Sequence, residues 1–390
     1  MTSTQEIGKK SIEFHKKLRG TILLGRKMHK LSTKEIQLIY TPGVAAVSKE
    51  VYDHPEKKFT LTSKRNNVAI VTDGTRILGL GNIGPYAAMP VMEGKAILYK
   101  QYAGITAFPI CLGTTDKDKI IDAIVAIEPS FGAINLEDIE SPKVLDISKE
   151  LGKKIPIPVF HDDRHGTSVV ALAALLNASR VVKKSLATSK IIIAGAGSAG
   201  IGIAELLRFV GCKNMIVTDS SGAIYKGRRE NMTRYKKEIA ASTNQKRTRG
   251  SLEEVMVDAD VFIGVSGIRN LVTGEIISKM ASNSIVFALT NPEPEINPVI
   301  AKKAGAKIVA TGSYQFHNRV NNALVFPYLM RAILDHQISK IDVKILYAAA
   351  VAVANTIPRD KLHVNNITPD VGNNRLQHNI THALKKFYKK

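Results

Sequence analysis

The chain has 390 residues, 44% hydrophobic and 23% charged, a composition that suits a folded protein too long for one ordinary core and leads us to expect two lobes. Its 55 Lys and Arg outnumber 34 Asp and Glu, giving a formal net charge of +21 that invites a nucleic-acid reading. The distribution speaks against it: the basic residues gather at "KGRRENMTRYKKE" (226–238), "QKRTR" (245–249) and the tail "KKFYKK", with no interleaved aromatics and no nucleic-acid module, so a solvated, anion-attracting surface is the simpler account.

The first stretch, "MTSTQEIGKKSIEFHKKLRG", carries charges throughout and no apolar h-region, so no secretory signal is expected. In "LSTKEIQLIYTPGVA", Ser32 and Glu35 have capping-box spacing and Pro42-Gly43 ends the helix, which puts Tyr40 at its C-terminal end. "NNVAIVTDGT" reads as a strand running into the Gly-rich turn "LGLGNIG". In "VMEGKAILYK", Lys95 follows a glycine among apolar residues. It reads either as a surface lysine on a helix or as a buried one whose pKa burial and a nearby metal lower enough to make it a base. Two buried-type strands, "SFGAINLED" and "IPIPVFHDD", end in carboxylates with a helix between them, and after "HGT" the pattern is helical. "KIIIAGAGSAGIGIAELLRFVG" opens a second unit, which "NMIVTD", "ADVFIGVSG", "SIVFALTNP" and "AKIVATG" continue to about residue 313. From about 323 onward the signals are helical, including "ILYAAAVAVA" (345–354), an apolar run about half the length of a membrane span and better read as a buried helix. The alternation predicts an α/β protein with parallel sheets and crossover helices in both lobes. Cys111 and Cys212 stand far apart and outside any C-x-x-C pattern, which suits a reducing cytoplasm and argues against a thiolate zinc site.

"GAGSAG" sets Gly195, Gly197 and Gly200 in G-x-G-x-x-G spacing between a strand and a helix, for a tight turn, close approach of a pyrophosphate and close helix packing. The next strand ends in Asp219, where a carboxylate can take ribose hydroxyls and repel a 2′-phosphate. "DSSG" offers no immediate cation, which favours NAD over NADP, although Arg228 and Arg229 can still reach. Glu137 and Asp138 end one strand and Asp162 and Asp163 another, so the two pairs can converge at the carboxyl ends of a parallel sheet. An all-oxygen cluster of this kind would choose Mg²⁺ or Mn²⁺ over zinc. Polar strand ends and helix caps are the competing reading. His161 and His165 read as hydrogen-bonded structural residues more readily than as zinc ligands.

Taken together, "YTPGVA", "VTDGTRILGLGNIG", "MEGKA", "INLEDI", "FHDDRHGT", "GAGSAG" and "ALTNPEPE" resemble, in order, the motifs of the short prokaryotic-type malic enzymes over nearly the whole chain. The resemblance implies a malate- and metal-binding catalytic domain over 1–163, a Rossmann-type NAD(P)-binding domain over 164–321 and C-terminal helices over 322–390 that return to the catalytic lobe. The activity it implies is oxidative decarboxylation of (S)-malate to pyruvate and CO₂ with reduction of NAD or NADP, dependent on Mg²⁺ or Mn²⁺. Decarboxylation of oxaloacetate is expected as well. A malolactic-type enzyme, releasing lactate with no net NADH, is the alternative within the superfamily. The resemblance also implies a homodimer in which a neighbouring chain can complete each active site, while the cysteine usage, charge distribution and apolar run lengths read above lead us to expect a cytoplasmic protein with no nucleic-acid or membrane partner.

Residue by residue, Glu137, Asp138 and Asp163 look like the metal ligands, Lys95 the general base, Tyr40 the general acid and Asp162 a proton-handling neighbour. Arg76, Asn291 and Asn322 look like substrate contacts, although many short members of the family have no arginine at the position of Arg76. Cofactor contacts are expected at Thr167, Gly195, Ala196, Gly197, Ser198, Ala199, Gly200, Asp219, Ser266 and Asn291.

Overall fold

The structure, a computed structural model, describes residues 32–313 and 315–387. The stretch read for a secretory signal and the end of the "KKFYKK" tail lie outside them. Strand β1 (Asn67–Thr72) has Val68 to Val71 fully buried, as a parallel strand covered on both faces must. It pairs in parallel with β2 (Thr106–Cys111) and β3 (Ala133–Leu136), and β4 (Val159–His161) completes a four-stranded sheet of order β2-β1-β3-β4. The sequence reading passed over β2. That strand carries Pro109, which has no N–H for a ladder and is tolerated because β2 lies at the sheet edge.

Helix α1 (Thr33–Ile39) starts at the expected Ser32–Glu35 capping box and has Tyr40 as its C-cap. Neither α1 nor α2 (Val44–Asp53) buries a single residue. By contrast α3 (Gly84–Ala103) buries Met92, Lys95, Ala96 and Tyr99, a stripe at helical spacing that packs on the sheet. Helices α4 (Lys117–Ile127) and α5 (Lys143–Lys154) make the next crossovers. Strand β4 enters a π-helical turn, Asp162–Gly166, that leads without a break into α6 (Thr167–Val182), the helix expected after "HGT". Asp162 and Asp163 are therefore fixed by helical backbone, in a form of turn that recurs at functional sites.

The second sheet holds β5 (Ile191–Ala194), β6 (Met215–Asp219), β7 (Gly222–Ala223), β8 (Val261–Gly264), β9 (Ile285–Ala288) and β10 (Ile308–Thr311) in the order β10-β9-β8-β5-β6-β7. All its pairings are parallel except the β6–β7 hairpin. Helix α7 (Ser198–Phe209) leaves β5, and α8 (Arg234–Ser242) follows the hairpin. Strand order reverses between β5 and β8, the place where open α/β sheets bind ligands beyond their carboxyl ends.

After the second sheet come α9 (Phe326–Asp335), α10 (Val343–Ala354) and α11 (Arg375–Leu384); α9 packs on α3, and α10 packs on α6. The apolar run at 345–354 is the buried helix expected, and among the described residues no helix is long and apolar enough to cross a membrane. Both cysteines are free thiols.

Candidate active site

The carboxyl ends of β3 and β4 lie side by side, so the chain delivers Glu137 and Asp138 next to Asp162 and Asp163. They share a cleft of about 640 Å³ with Arg76, Lys95, Thr167, Ala199, Ser266, Asn291 and Asn322. A larger cleft of about 730 Å³ lies behind β4 and holds none of the expected catalytic or ligand-contacting residues. Convergence of titratable groups, rather than size, marks the first as the site.

Lys95 is buried. Its Nζ lies 2.5 Å from Asp162 Oδ2 and 2.8 Å from Glu137 Oε2, and 4.1 Å from the centroid of the Phe326 ring. The surface-lysine reading is thus excluded. Asn322 Nδ2 donates to Asp162 Oδ2 at 3.1 Å, and Thr167 Oγ1 donates to Asn322 Oδ1 at 3.2 Å. Gly166 leaves the room this network needs, because a Cβ there would stand 2.1 Å from Asp162 Oδ1. Asp138 holds a left-handed backbone with φ of 49°, a conformation an aspartate tolerates better than most residues and one that clusters at functional sites.

Burial alone would lower the pKa of Lys95, but Asp162 and Glu137 outweigh it and hold the ammonium above the ordinary lysine value. The acids answer in the other direction. Burial lifts Glu137 to about 7 against the pull of Lys95, with Asp162 and Asp163 adding to the rise. Burial, then Glu137 and Asp163, lifts Asp138 to about 9. Asp163 is raised by burial and by Asp162. Burial, helped by the charges of Arg164 and Lys95, keeps His161 neutral, with its pKa pushed down to about 3. His165 is likewise held well below its usual value, and its Nδ1 accepts from the His161 backbone N–H at 3.2 Å, a structural role.

The Lys95 ammonium, with the Arg76 guanidinium acting on Asp163, faces four crowded carboxylates, and buried Asp138 Oδ2 and Asp162 Oδ1 have no hydrogen-bond partner. That is a deficit of positive charge, and an all-oxygen donor set of this kind fits a hard divalent cation. Among the described residues no three acidic, His or Cys donors are already closed around one point. The Lys95 ammonium holds Glu137 instead.

On the other wall, the "GAGSAG" turn has the geometry its spacing predicts. Gly195 has φ of +118°, and a Cβ on Gly200 would meet Gly195 O at 1.8 Å. A Cβ on Gly197 would meet nothing within 4 Å, leaving open space for a ligand against the backbone. Helix α7 has Gly197 as its N-cap and no side-chain cap, so its first N–H groups face that space unclaimed by a capping side chain. Ala196 lies in the same turn, between β5 and α7, and Ser198 is the first residue of α7.

At Asp219 the turn itself supplies no cation, but Arg228 does reach it and grips both its oxygens, Lys236 Nζ lies 2.6 Å from Oδ2, and the Ser221 N–H donates to Oδ1 at 2.9 Å. Burial works against the carboxylate's charge, but these donors prevail and lower its pKa. Its charge is thus already answered from within the chain, which removes much of the expected repulsion of a 2′-phosphate. Tyr40 departs from expectation. It is 67% exposed and lies outside the cleft that holds Lys95.

Comparison with known proteins gives the family. The family model "Malic enzyme, NAD binding domain" matches residues 165–386, and "Malic enzyme, N-terminal domain" matches 19–119. The chain belongs to the malic enzyme family. The bifunctional malic/malolactic enzyme of Bacillus subtilis is 44% identical over 96% of this chain and 92% of its own length. The NAD-dependent malic enzyme of Geobacillus stearothermophilus is 45% identical over 94% of this chain and 76% of its own. The crystal structure of the NAD-dependent malic enzyme of Thermotoga maritima superposes with a TM-score of 0.92 at 43% identity, covering 96% of this chain and 98% of that one.

In this malic enzyme family member two supporting residues, Tyr99 and Asn135, had escaped the sequence reading. Tyr99 donates its hydroxyl to Asn135 Oδ1 at 2.7 Å, and Asn135 Nδ2 donates to Glu137 Oε2 at 2.9 Å, so a buried relay fixes the carboxylate. Asn135 stands two residues before Glu137 in a run that is otherwise apolar. That lone amide on a fully buried strand was the available signal.

Proposed function

We propose that this malic enzyme family member catalyses oxidative decarboxylation of (S)-malate to pyruvate and CO₂ with reduction of NAD(P), and that it also decarboxylates oxaloacetate. The observation that carries the reading is the buried Lys95 ammonium between Glu137 and Asp162, in the cleft that Ala199, Ser266 and Asn291 line from the dinucleotide lobe. When bound, a divalent cation on Glu137, Asp138 and Asp163 supplies Lewis acidity at the C2 oxygen, and a dinucleotide at the Gly195–Gly200 turn takes up the C2 hydride.

Lys95 accepts the proton of the C2 hydroxyl at Nζ. With Glu137 given over to metal ligation, Lys95 loses one of the two charges that keep it protonated and retains Asp162 as the partner with which it exchanges the proton. Asn322 and Thr167 keep Asp162 in register for that exchange. Arg76, exposed at the cleft and without a hydrogen-bond or ion-pair partner among the described residues, is available to a substrate carboxylate. Once the C4 carboxylate leaves as CO₂, C3 needs a proton, the role given to Tyr40. On this reading residues 1–163 bind malate and metal, 164–321 bind the dinucleotide, and 322–390 brace the first lobe. The two free thiols suit a cytoplasmic setting.

The position of Tyr40 supports a homodimer in which each copy lends this tyrosine to the other's cleft. Among the described residues helices α1 and α2 bury none of their side chains, while Leu38, Tyr40 and Tyr52 are 69%, 67% and 84% exposed, an apolar surface that a second copy would cover. Mixing inactive Tyr40→Phe and Lys95→Ala proteins, with subunit exchange, is then expected to restore about a quarter of wild-type activity. Half of the dimers are mixed, and each mixed dimer has one site with both groups. No recovery after verified exchange would place both groups on one chain.

Initial rates with malate test the assignment itself. NADH or NADPH formation that requires both malate and Mn²⁺ is expected, and absence of it with both dinucleotides overturns the reading. The malolactic alternative is favoured by one observation, the bifunctional name of the Bacillus subtilis relative. It predicts lactate without net NADH.

A further inference from the structure

The motif "TNPEPE" contains an acid that the reaction above does not use. Glu295 is fully buried, and among the described residues no Lys, Arg or His makes an ion pair with it. Its charge is met by four neutral donors. Oε1 accepts from Ser266 N at 2.9 Å, from Ser266 Oγ at 3.0 Å and from the Thr290 hydroxyl, and Oε2 accepts from Thr290 N at 3.1 Å. Thr290 Oγ1 in turn accepts from Gly267 N at 3.0 Å, and Ser266 Oγ accepts from Ile268 N at 3.0 Å. The carboxylate therefore stitches the segment that follows β8 to the one that follows β9. A Cβ on Gly264 would stand 2.5 Å from Glu295 Cδ, so the last residue of β8 has no side chain where this carboxylate sits.

The two segments are not remote from the chemistry. Ser266 and Gly267 from the first, and Thr290 and Asn291 from the second, line the wall of the cleft that faces Lys95. A buried carboxylate with no counter-cation is a costly way to join two loops, since neutral hydrogen-bonding groups would hold them without desolvating a charge. Four convergent acceptor interactions on one rigid group, however, fix the loops relative to each other more tightly than a single amide can.

We infer that Glu295 is a positioning residue for hydride transfer: it sets the Ser266 and Asn291 segments so that the nicotinamide half of the cofactor meets C2 of the substrate. The inference rests on the malic enzyme reading of the cleft. It places the effect of Glu295 on the oxidation step and not on the metal-carboxylate wall, which Glu295 does not touch. Gln at 295 keeps the shape but turns one acceptor into a donor, which must then face the Thr290 N–H or the three donors at Oε1.

The test compares two reactions of the same metal-loaded protein. In Glu295→Gln, malate oxidation is expected to lose about 30-fold or more in kcat with KM for malate within about threefold of wild type, while oxaloacetate decarboxylation, which needs no hydride transfer, stays within about threefold. Glu295→Asp keeps the charge but draws it back by one methylene from the Ser266 and Thr290 donors, and is expected to show the same split at about 3- to 10-fold, which keeps the test open if Glu295→Gln does not fold. Equal loss of both reactions in both variants, or no loss of oxidation in either, overturns the inference. A wild type that oxidises no malate would instead overturn the assignment of function.

Discussion

Replacement of Lys95 by alanine is expected to lower kcat/KM for malate oxidation by about 10³-fold or more, at the upper part of the range for a lost general base. Two physical effects act together. The C2 hydroxyl loses its proton acceptor, and Glu137 and Asp162 lose the ammonium that lies 2.8 Å and 2.5 Å from them. Breaking a buried pair by deleting one partner costs about 3–5 kcal/mol, so the variant is also expected to melt lower in the absence of metal. Arginine separates the effects. Lys95→Arg keeps a cation against both carboxylates but cannot give up its proton, so it should recover thermal stability and leave activity low. Binding of NADH, followed by its fluorescence, should survive in both variants, because the Gly195–Gly200 turn stands on the other sheet. Turnover by either variant within about tenfold of wild type would remove Lys95 from the proton-transfer step.

Mn²⁺ is expected to raise the melting temperature of the metal-free protein, and by more at about pH 8.5 than at about pH 6. Without a cation the folded state holds Glu137 up to about 7 and Asp138 up to about 9, whereas the unfolded chain returns both to ordinary carboxylate values near about 4. Between those limits the folded protein binds more protons than the unfolded one, so its stability is fully present at low pH and declines as pH rises through about 7 and about 9. A divalent ion on the same oxygens supplies the missing positive charge and lifts that penalty. At 100 times Kd, binding to the folded state alone contributes about 2.7 kcal/mol, a rise on the order of 5 °C. Scanning calorimetry in chelator and in Mn²⁺ at the two pH values measures it. No shift, or a larger one at the lower pH, would contradict the assignment of Glu137, Asp138 and Asp163 as the ligand set.

How far the sequence could be read depends on whether the information was local. The strands ending in Glu137–Asp138 and Asp162–Asp163 were legible because buried parallel strands are continuous apolar runs, and a carboxylate pair at the end of one stands out. The capping box at Ser32 and the "GAGSAG" turn were legible for the same reason, since each is set by residues a few positions apart. Strand β2 was not, because Pro109 argues against a strand unless its edge position is known. The clamp on Asp219 was legible only in part: Arg228, nine residues on, stood out as a cation within reach, whereas Lys236 comes from 17 residues downstream once the β6–β7 hairpin and α8 have folded. Burial of Lys95 depends on α9 bringing Phe326 over it, a contact between residues far apart in the chain. The surroundings of Tyr40 lie beyond any one chain if the site is shared, and Glu295 has no local signal because the donors that meet it come from the ends of two strands.

Product accounting in a single reaction with wild-type protein, malate, Mn²⁺ and dinucleotide tests the central claim most directly. A cleft that joins the Lys95 and carboxylate wall to the dinucleotide turn predicts pyruvate and NADH or NADPH in equal amounts, both matching the malate consumed, with no lactate. Lactate that accumulates while net NADH stays at zero, or malate that is not consumed with either dinucleotide, would contradict it.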